Sequence, residues 1–388
     1  MPRSHRSDKI DVFFESITSW LPRPPVYLEK AVAVSLFKVL LGLSILQEKE
    51  ISLFKENISN RTLLVATEAE KKGALVRIIT FFTRPTNFFT IRYKDTKQIF
   101  EALPCADISS PSRIDIDDKA IFKKLLETYN FPYPKGQMCQ TYTEAEKAAN
   151  IIGFPVVVKP SSGSLSKHVS CNIINKEELT KAVDIVQMIS GNFIVESHIP
   201  GEVYRIIVID GHLVACAKRE TAHVIGDGMH TISELINSKN ADSRRRDIDD
   251  KNVTLHKIPV TEKTLEILKA KSYDLQTVLE KGVKIYVHDK VVLAAGADIH
   301  DVTDEVHPDI KKMFENVAER CGFWLIGFDF ICTNISESYT IQPCGILEAN
   351  SLPFIDMHHF PTTGKARNVA GILVDHYIHN HLVKVGQG

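Results

Sequence analysis

Hydrophobic and polar positions along the chain change their spacing twice, and the changes mark three regions. From the start to about residue 110, helical and strand-like stretches are mixed, among them RTLLVAT and LVRIITFF. This region closes in a turn-rich segment, LPCADISSPSR. The longest apolar run, Ala31 to Leu46, is interrupted by Lys38 and Gly42. It falls short of the ~20 apolar residues that a membrane-crossing helix needs, so a buried helix is expected there. The second region, from Ile116 to about Ile194, opens with DDKAIFKKLLETYNFPYPKG, a helix followed by a Pro/Gly turn. A strand, FPVVVKP, a loop of small residues, SSGSLSKHV, and another strand, SCNII, come next. Asn175 is placed to cap the helix after them, and FIVE ends the region. The third region begins at Glu196 and is strand-rich: VYRIIVIDG, HLVACAKRE, VKIYVHD, KVVLAAG, FWLIGFDFICT and YTIQPCGILEAN. Asp210-Gly211 joins the first two of these as a hairpin. Thr231 is placed to cap a helix beginning near Ile232 that runs into a charged connection. The expected divisions are residues 1–110, 111–195 and 196–388.

Composition narrows the field. A chain of 388 residues is too long for one simple core. Its 47 basic and 48 acidic residues nearly cancel, which argues against a general nucleic-acid or membrane-surface binder. Seven scattered cysteines, odd in number and with no C-x-x-C pair, read as reduced thiols and not as a disulfide framework or zinc site. The opening residues lack the apolar segment of a secretory signal, so a cytoplasmic protein without membrane spans is expected.

Several segments place chemistry on strands. Lys159 closes a strand of three valines, and the loop after it, with Ser162 and Ser164, offers small residues and backbone N–H groups suited to phosphate. No Walker motif is present, and a strand-end lysine before a surface loop is the plainer reading of this segment alone. Asp329 sits inside an apolar strand, where a lone carboxylate is costly. Glu348 and Asn350 are two residues apart on a strand and project to the same side. Together the three would supply hard oxygen ligands of the kind magnesium takes beside phosphate. Equally, Asp329 would cap a turn and Glu348 would pair with an arginine. Lys218 and Arg219 end a strand as a basic pair that could clamp a transferring phosphoryl group, or as a solvated strand end. Glu196 ends another strand, either facing an adenine edge or as a plain surface acid.

The order of these segments resembles the ATP-grasp ligases, and within them the ATP-grasp part of cyanophycin synthetase and its relatives. The likeness runs from roughly Asp117 to Ile378. It is carried by DKAIFKKLL, GFPVVVKPSSGS, FIVESHIPG, YRIIVIDGHLVACAKRETAHVIGDGMHTISELI, ADIHDVTDEVHP, IGFDFICTN, ILEANSLP and GKARNVAGILVD. The Mur-ligase-like domain of that family has no counterpart in this sequence. The resemblance implies an α/β (α+β) ATP-grasp fold, two α/β subdomains clasping ATP, preceded by a smaller mixed N-terminal domain. It implies that Lys119, Lys159, Ser162 and Ser164 contact phosphates, and that Glu196 and the backbone near Ile199 hold adenine. Glu202 is the candidate for ribose. Arg219, Arg205 and Lys218 would neutralise the transferring phosphate. Asp329, Glu348 and Asn350 would bind one or two magnesium ions, or manganese. The implied activity is a carboxylate–amine ligation: ATP phosphorylates an acid, and an amine displaces phosphate to form an amide. Small-molecule or peptide substrates are implied, a homo-oligomer is compatible, and no nucleic acid or membrane partner is expected. A nucleotide-binding regulatory subunit with reduced catalysis, or phosphotransfer to a non-carboxylate acceptor, are the other readings.

Departures from the family pattern fall on both sides of the site, and the acceptor side departs most. Ser166 and His168 replace glycines in the small-residue loop. Val203 stands where the family carries an acid, and Glu202 faces the other way unless the strand is bulged. His288, Lys290, Val292 and Ala294-Ala295 replace polar residues near the acyl substrate. Asp356 stands where cyanophycin synthetases have an arginine, favouring a cationic or hydroxylated substrate group. His288, Asp356 and His358 are the candidate substrate contacts. His376, His379 and His381 read as a solvated helix face before they read as metal ligands.

Overall fold

In the computed structural model, residues 39–103, 116–161, 169–250 and 253–383 are described. They fall into two units, Met1–Pro104 with Val374–Gly388, and Cys105–Leu373.

The first unit is built on an antiparallel sheet whose strands lie in chain order: β1 (Leu46–Glu50), β2 (Leu75–Phe81), β3 (Arg84–Tyr93) and β4 (Thr96–Glu101). The stretch RTLLVAT lies within the helix Asn60–Lys71, which buries Val65, Ala66 and Ala69. Tyr377 belongs to this unit, buried with its ring edge-on to Phe100 at 5.0 Å. The buried helix expected over Ala31–Leu46 lies partly outside the described residues. Residues 39–42 are helical, but Val39 and Leu43 are exposed and Leu46 already begins β1. Gly42 and a left-handed Ser44, at φ 56, end the helix early.

The second unit starts with the helix Lys119–Thr128, which Asp118 caps by accepting from the Ala120 and Ile121 amides. Four antiparallel strands follow, β5 (Gly136–Cys139), β6 (Val156–Pro160), β7 (Ser170–Ile173) and β8 (Phe193–Ser197), in the order β5-β8-β6-β7. Val156, Val158, Phe193 and Val195 pack against the helices Tyr142–Ile152 and Lys176–Gln187 through Ala145, Ala148, Leu179 and Val183. Because strand side chains alternate, the other face of this sheet carries Val157, Lys159, Ile194 and Glu196. Asn175 caps Lys176–Gln187 as expected, accepting from the Glu178 amide.

From β9 (Glu202–Ile209) the chain turns through Asp210-Gly211, both with positive φ, into β10 (His212–Glu220). An excursion follows with its own small core, formed by Val224, Ile232, Ile236, Leu268 and Ile285. It holds the helices Ile232–Asn240 and Glu262–Ala270, with Thr231 in a capping box. It also holds β11 (His223–Ile225), β12 (Arg245–Arg246), β13 (Leu255–His256) and β14 (Lys284–Tyr286), pairing β11 with β14 and β12 with β13. KVVLAAG, expected as a strand, instead makes a 3-10 turn at Leu293–Ala295 before a left-handed Gly296. Periodicity cannot separate a packed apolar turn from a buried strand.

The chain returns as β15 (Asp298–Asp301), β16 (Leu325–Cys332) and β17 (Cys344–Asn350), completing an antiparallel sheet ordered β15-β10-β9-β16-β17. One face carries Tyr204, Ile206, Cys216, Ile326, Phe328, Phe330 and Ile346. It packs on Phe122 and Leu126 of Lys119–Thr128 and on Met313 and Phe314 of Pro308–Cys321. Lys119–Thr128 thus belongs to this core and not to that of the four-stranded sheet.

Candidate active site

The face of the five-stranded sheet turned away from that core carries the charged residues. Asp329 on β16 is paired in register with Glu348 on β17 and with Arg205 on β9. A bulge leaves Leu347 without a cross-strand partner, which lets Ile346 point into the core while Glu348 and Asn350 share the face of Asp329. Asp329 is 7% exposed. Arg205 Nε donates to its Oδ1 at 2.6 Å and Arg219 Nη2 to its Oδ2 at 2.8 Å. Burial opposes the charge of Asp329, but the two guanidinium groups outweigh it and hold the carboxyl below its usual range. Glu348 goes the other way: burial and the neighbouring Asp329 raise its pKa. The arginine pairing considered for Glu348 belongs to Asp329 instead. Lys119 Nζ lies 3.9 Å from Glu348 Oε2.

Across from this row lies a lysine cluster. Lys119 and Lys123 stand one helical turn apart on Lys119–Thr128. Lys123 Nζ and Lys159 Nζ each donate to Glu196 at 2.6 Å, one to each carboxylate oxygen. Glu196, 3% exposed, is therefore a buried acid and not a surface one. Lys123 escaped notice in the sequence, although its spacing from Lys119 on an amphipathic helix was a usable signal. Ile199 is half-buried, its Cδ1 packed where a side chain on Gly345 would stand. Ser162 and Ser164 lie outside the described residues, as do Ser166 and His168.

Other candidates fall elsewhere. Lys218 does not share a face with Arg219, since adjacent strand residues point oppositely. It pairs in register with Tyr204, and its Nζ is 3.8 Å from Glu202. That corrects the basic-pair expectation: Arg219 meets Asp329 together with Arg205, and Lys218 does not join them. Glu202 likewise shares the Tyr204 face, leaving Val203 on the side of Arg205. His288 accepts from the Lys290 amide at 3.1 Å and lines a cavity of ≈ 390 Å³ with Glu202, Glu220 and Tyr286. Asp356 is buried and accepts from Thr254 Oγ1 at 2.6 Å. His358 is 1% exposed, and neither ring nitrogen has a hydrogen-bond partner among the described residues. Glu220, not singled out in the sequence, takes hydrogen bonds from Lys284 at 2.8 Å and from His300 at 3.0 Å.

Arg205 Nη1, Arg219 Nε and Asn350 Nδ2 are also buried without a partner among the described residues. Donors left so are expensive unless a ligand's oxygens meet them. The donor set fits a hard dication: Glu348 and Asp329 are adjacent acids whose mutual repulsion a cation relieves, and Asn350 adds an amide oxygen. Among the described residues no group of three or more His, Cys, Asp or Glu side chains is placed to hold a metal. No helix among them is long and apolar enough to cross a membrane.

Comparison with known proteins bears on the family and the fold. Residues 116–225 match the RimK-like ATP-grasp domain. A cyanophycin synthetase of Trichormus variabilis is 34% identical over 259 residues, covering 66% of this chain and 28% of that protein. A glutathione biosynthesis bifunctional protein of Clostridium perfringens is 28% identical over 334 residues, covering 85% of this chain and 42% of that protein. The crystal structure of a bifunctional glutathione synthetase from Pasteurella multocida superposes with a TM-score of 0.64 at 23% identity, covering 84% of this chain and 44% of that one. This last likeness bears on the fold, and it agrees with the ATP-grasp architecture expected from the sequence. The chain spans less than half the length of each of these relatives.

Proposed function

Since the chain belongs to the ATP-grasp family, with a RimK-like domain over residues 116–225, we propose that it is an ATP- and magnesium-dependent carboxylate–amine ligase. It forms an amide or peptide bond through an acyl phosphate and releases ADP and phosphate. The observation that carries this reading is the row Arg205–Asp329–Glu348, with Arg219 on Asp329 and Lys119 near Glu348. Such a row places fixed positive charge beside acids suited to a phosphate-bound cation, where charge develops during phosphoryl transfer. Lys119 and Lys159 bind phosphates, together with the loop of Ser162 and Ser164. Glu196 and the backbone at Ile199 hold adenine. Arg219 and Arg205 neutralise the phosphoryl oxygens. Asp329, Glu348 and Asn350 hold magnesium, which when bound screens the phosphate charge. The protein's part is chiefly positioning and charge neutralisation.

The relatives are named for cyanophycin and glutathione synthesis, which points to amino acids or short peptides as substrates. His288, Asp356 and His358 are assigned to the acceptor side. Met1–Pro104 with Val374–Gly388 form a separate unit, while within Cys105–Leu373 residues 111–195 carry the lysines and the phosphate loop and 196–373 carry the hinge, the metal ligands and the substrate loops. The test is ADP release over paired amino acids, with mass spectrometry of the product. ADP should appear only when acid and amine are both present, and Glu348→Gln should lower turnover about 10²–10³-fold with the fold retained. AMP as product, or no ADP over the whole panel, would overturn the reading. The placement of Glu202 away from Val203 favours one alternative, a nucleotide-binding subunit with reduced catalysis, which would bind ATP without turnover. A stable phosphorylated product would instead reveal phosphotransfer.

A further inference from the structure

Glu196 is the acid at which the lysine cluster meets. Each of its oxygens is taken by a different ammonium group, and the two lysines come from different parts of the fold. Lys123 extends from Lys119–Thr128, whose apolar residues Phe122, Leu125 and Leu126 are embedded in the core of the five-stranded sheet. Lys159 extends from β6, in the four-stranded sheet. Burial works against the charge of Lys123, Glu196 supports it, and Lys159 and Lys119 oppose it. Two ammonium groups thus meet on one deeply buried carboxylate, while Lys119, one helical turn from Lys123, lies beside Glu348.

A buried carboxylate that loses its sole counter-ion is strongly destabilised. If Lys159 were the only partner of Glu196, moving its ammonium to a phosphate would strand that carboxylate. A second lysine removes the difficulty. We propose that Lys123 is a positioning residue that keeps the Glu196 carboxylate paired and seated when Lys159 turns its ammonium to the nucleotide phosphates. This rests on the reading of Lys159 and Glu196 as nucleotide residues. Lys123 itself need not touch the nucleotide.

Calorimetric titration of the full chain with ATP and magnesium, without acid or amine, tests this independently of the substrates. Lys123→Met should weaken ATP binding by roughly tenfold or more, and Lys123→Arg should restore most of it. In a Glu196→Gln background the same Lys123→Met change should cost less than about threefold, because an amide needs no counter-ion. Thermal melts establish that each variant is folded, and Lys123→Gln carries the cycle if Lys123→Met does not fold. ATP binding by Lys123→Met equal to that of the wild type would overturn the proposal, as would equal losses with and without the Glu196 carboxylate. If Lys159→Met leaves ATP binding unchanged, the nucleotide reading of Lys159 fails and the proposal falls with it. A damaged Lys159→Met beside a silent Lys123→Met would overturn the proposal alone.

Discussion

His358 shows how far one side chain's behaviour depends on its surroundings. Burial, then the charge of Arg205, keeps its imidazole neutral and lowers its pKa to about 3. In the unfolded chain an imidazole titrates near ~6.5. Between those values the unfolded chain binds a proton that the folded one does not, so stability falls as pH drops below about 6.5. From about pH 7 to about pH 5 this one residue should remove about 2 kcal/mol of stability. Urea unfolding of wild type and His358→Gln at the two pH values checks it: the variant should lose correspondingly less. Asp329 makes the same point in reverse. As a residue in an apolar run it was ambiguous, and its meaning came from two arginines more than a hundred residues away in sequence.

At the scale of elements, what was legible was local. Asn175 and Thr231 cap their helices, and Asp210-Gly211 makes its hairpin, because each signal acts within a few residues. Lys218 and Arg219 adjoin in sequence but do not act as a pair, because strand geometry sends them to opposite faces. The β17 bulge at Leu347 could not be foreseen, since it is defined only against β16. Gly201 is a further case where an element's neighbour matters. Its φ is 141, and a Cβ there would run into the Cys332 carbonyl. Gly201→Ala should therefore cost about 1–3 kcal/mol, seen as a lowered Tm. It should also weaken ATP binding, because Gly201 joins the Glu196–Ile199 segment to β9.

At the scale of the molecule, the unit that begins the chain is completed by residues near its other end. Tyr377 is buried there, its ring edge-on to Phe100 and its hydroxyl donating to Gln98. Tyr377→Ala should destabilise this unit by about 3–5 kcal/mol. In a thermal melt the loss should appear as an early transition, with the transition of the second unit left in place. Nothing in the spacing of the last residues announced this, because Tyr377 and Gln98 are 279 residues apart in the chain.

The sequence by itself determined the local conformations, the strand alternation that puts Glu348 and Asn350 on one face, and the residue types suited to nucleotide chemistry. These depend on neighbours a few positions apart. Tertiary structure alone decided that Asp329 lies between Arg205 and Glu348, and that Lys123 joins Lys159 on Glu196. It also decided that Lys218 faces away and that Tyr377 closes the first unit. Those outcomes follow from strand order, register and burial, which arise only when distant segments compete for the same core and the same counter-charges.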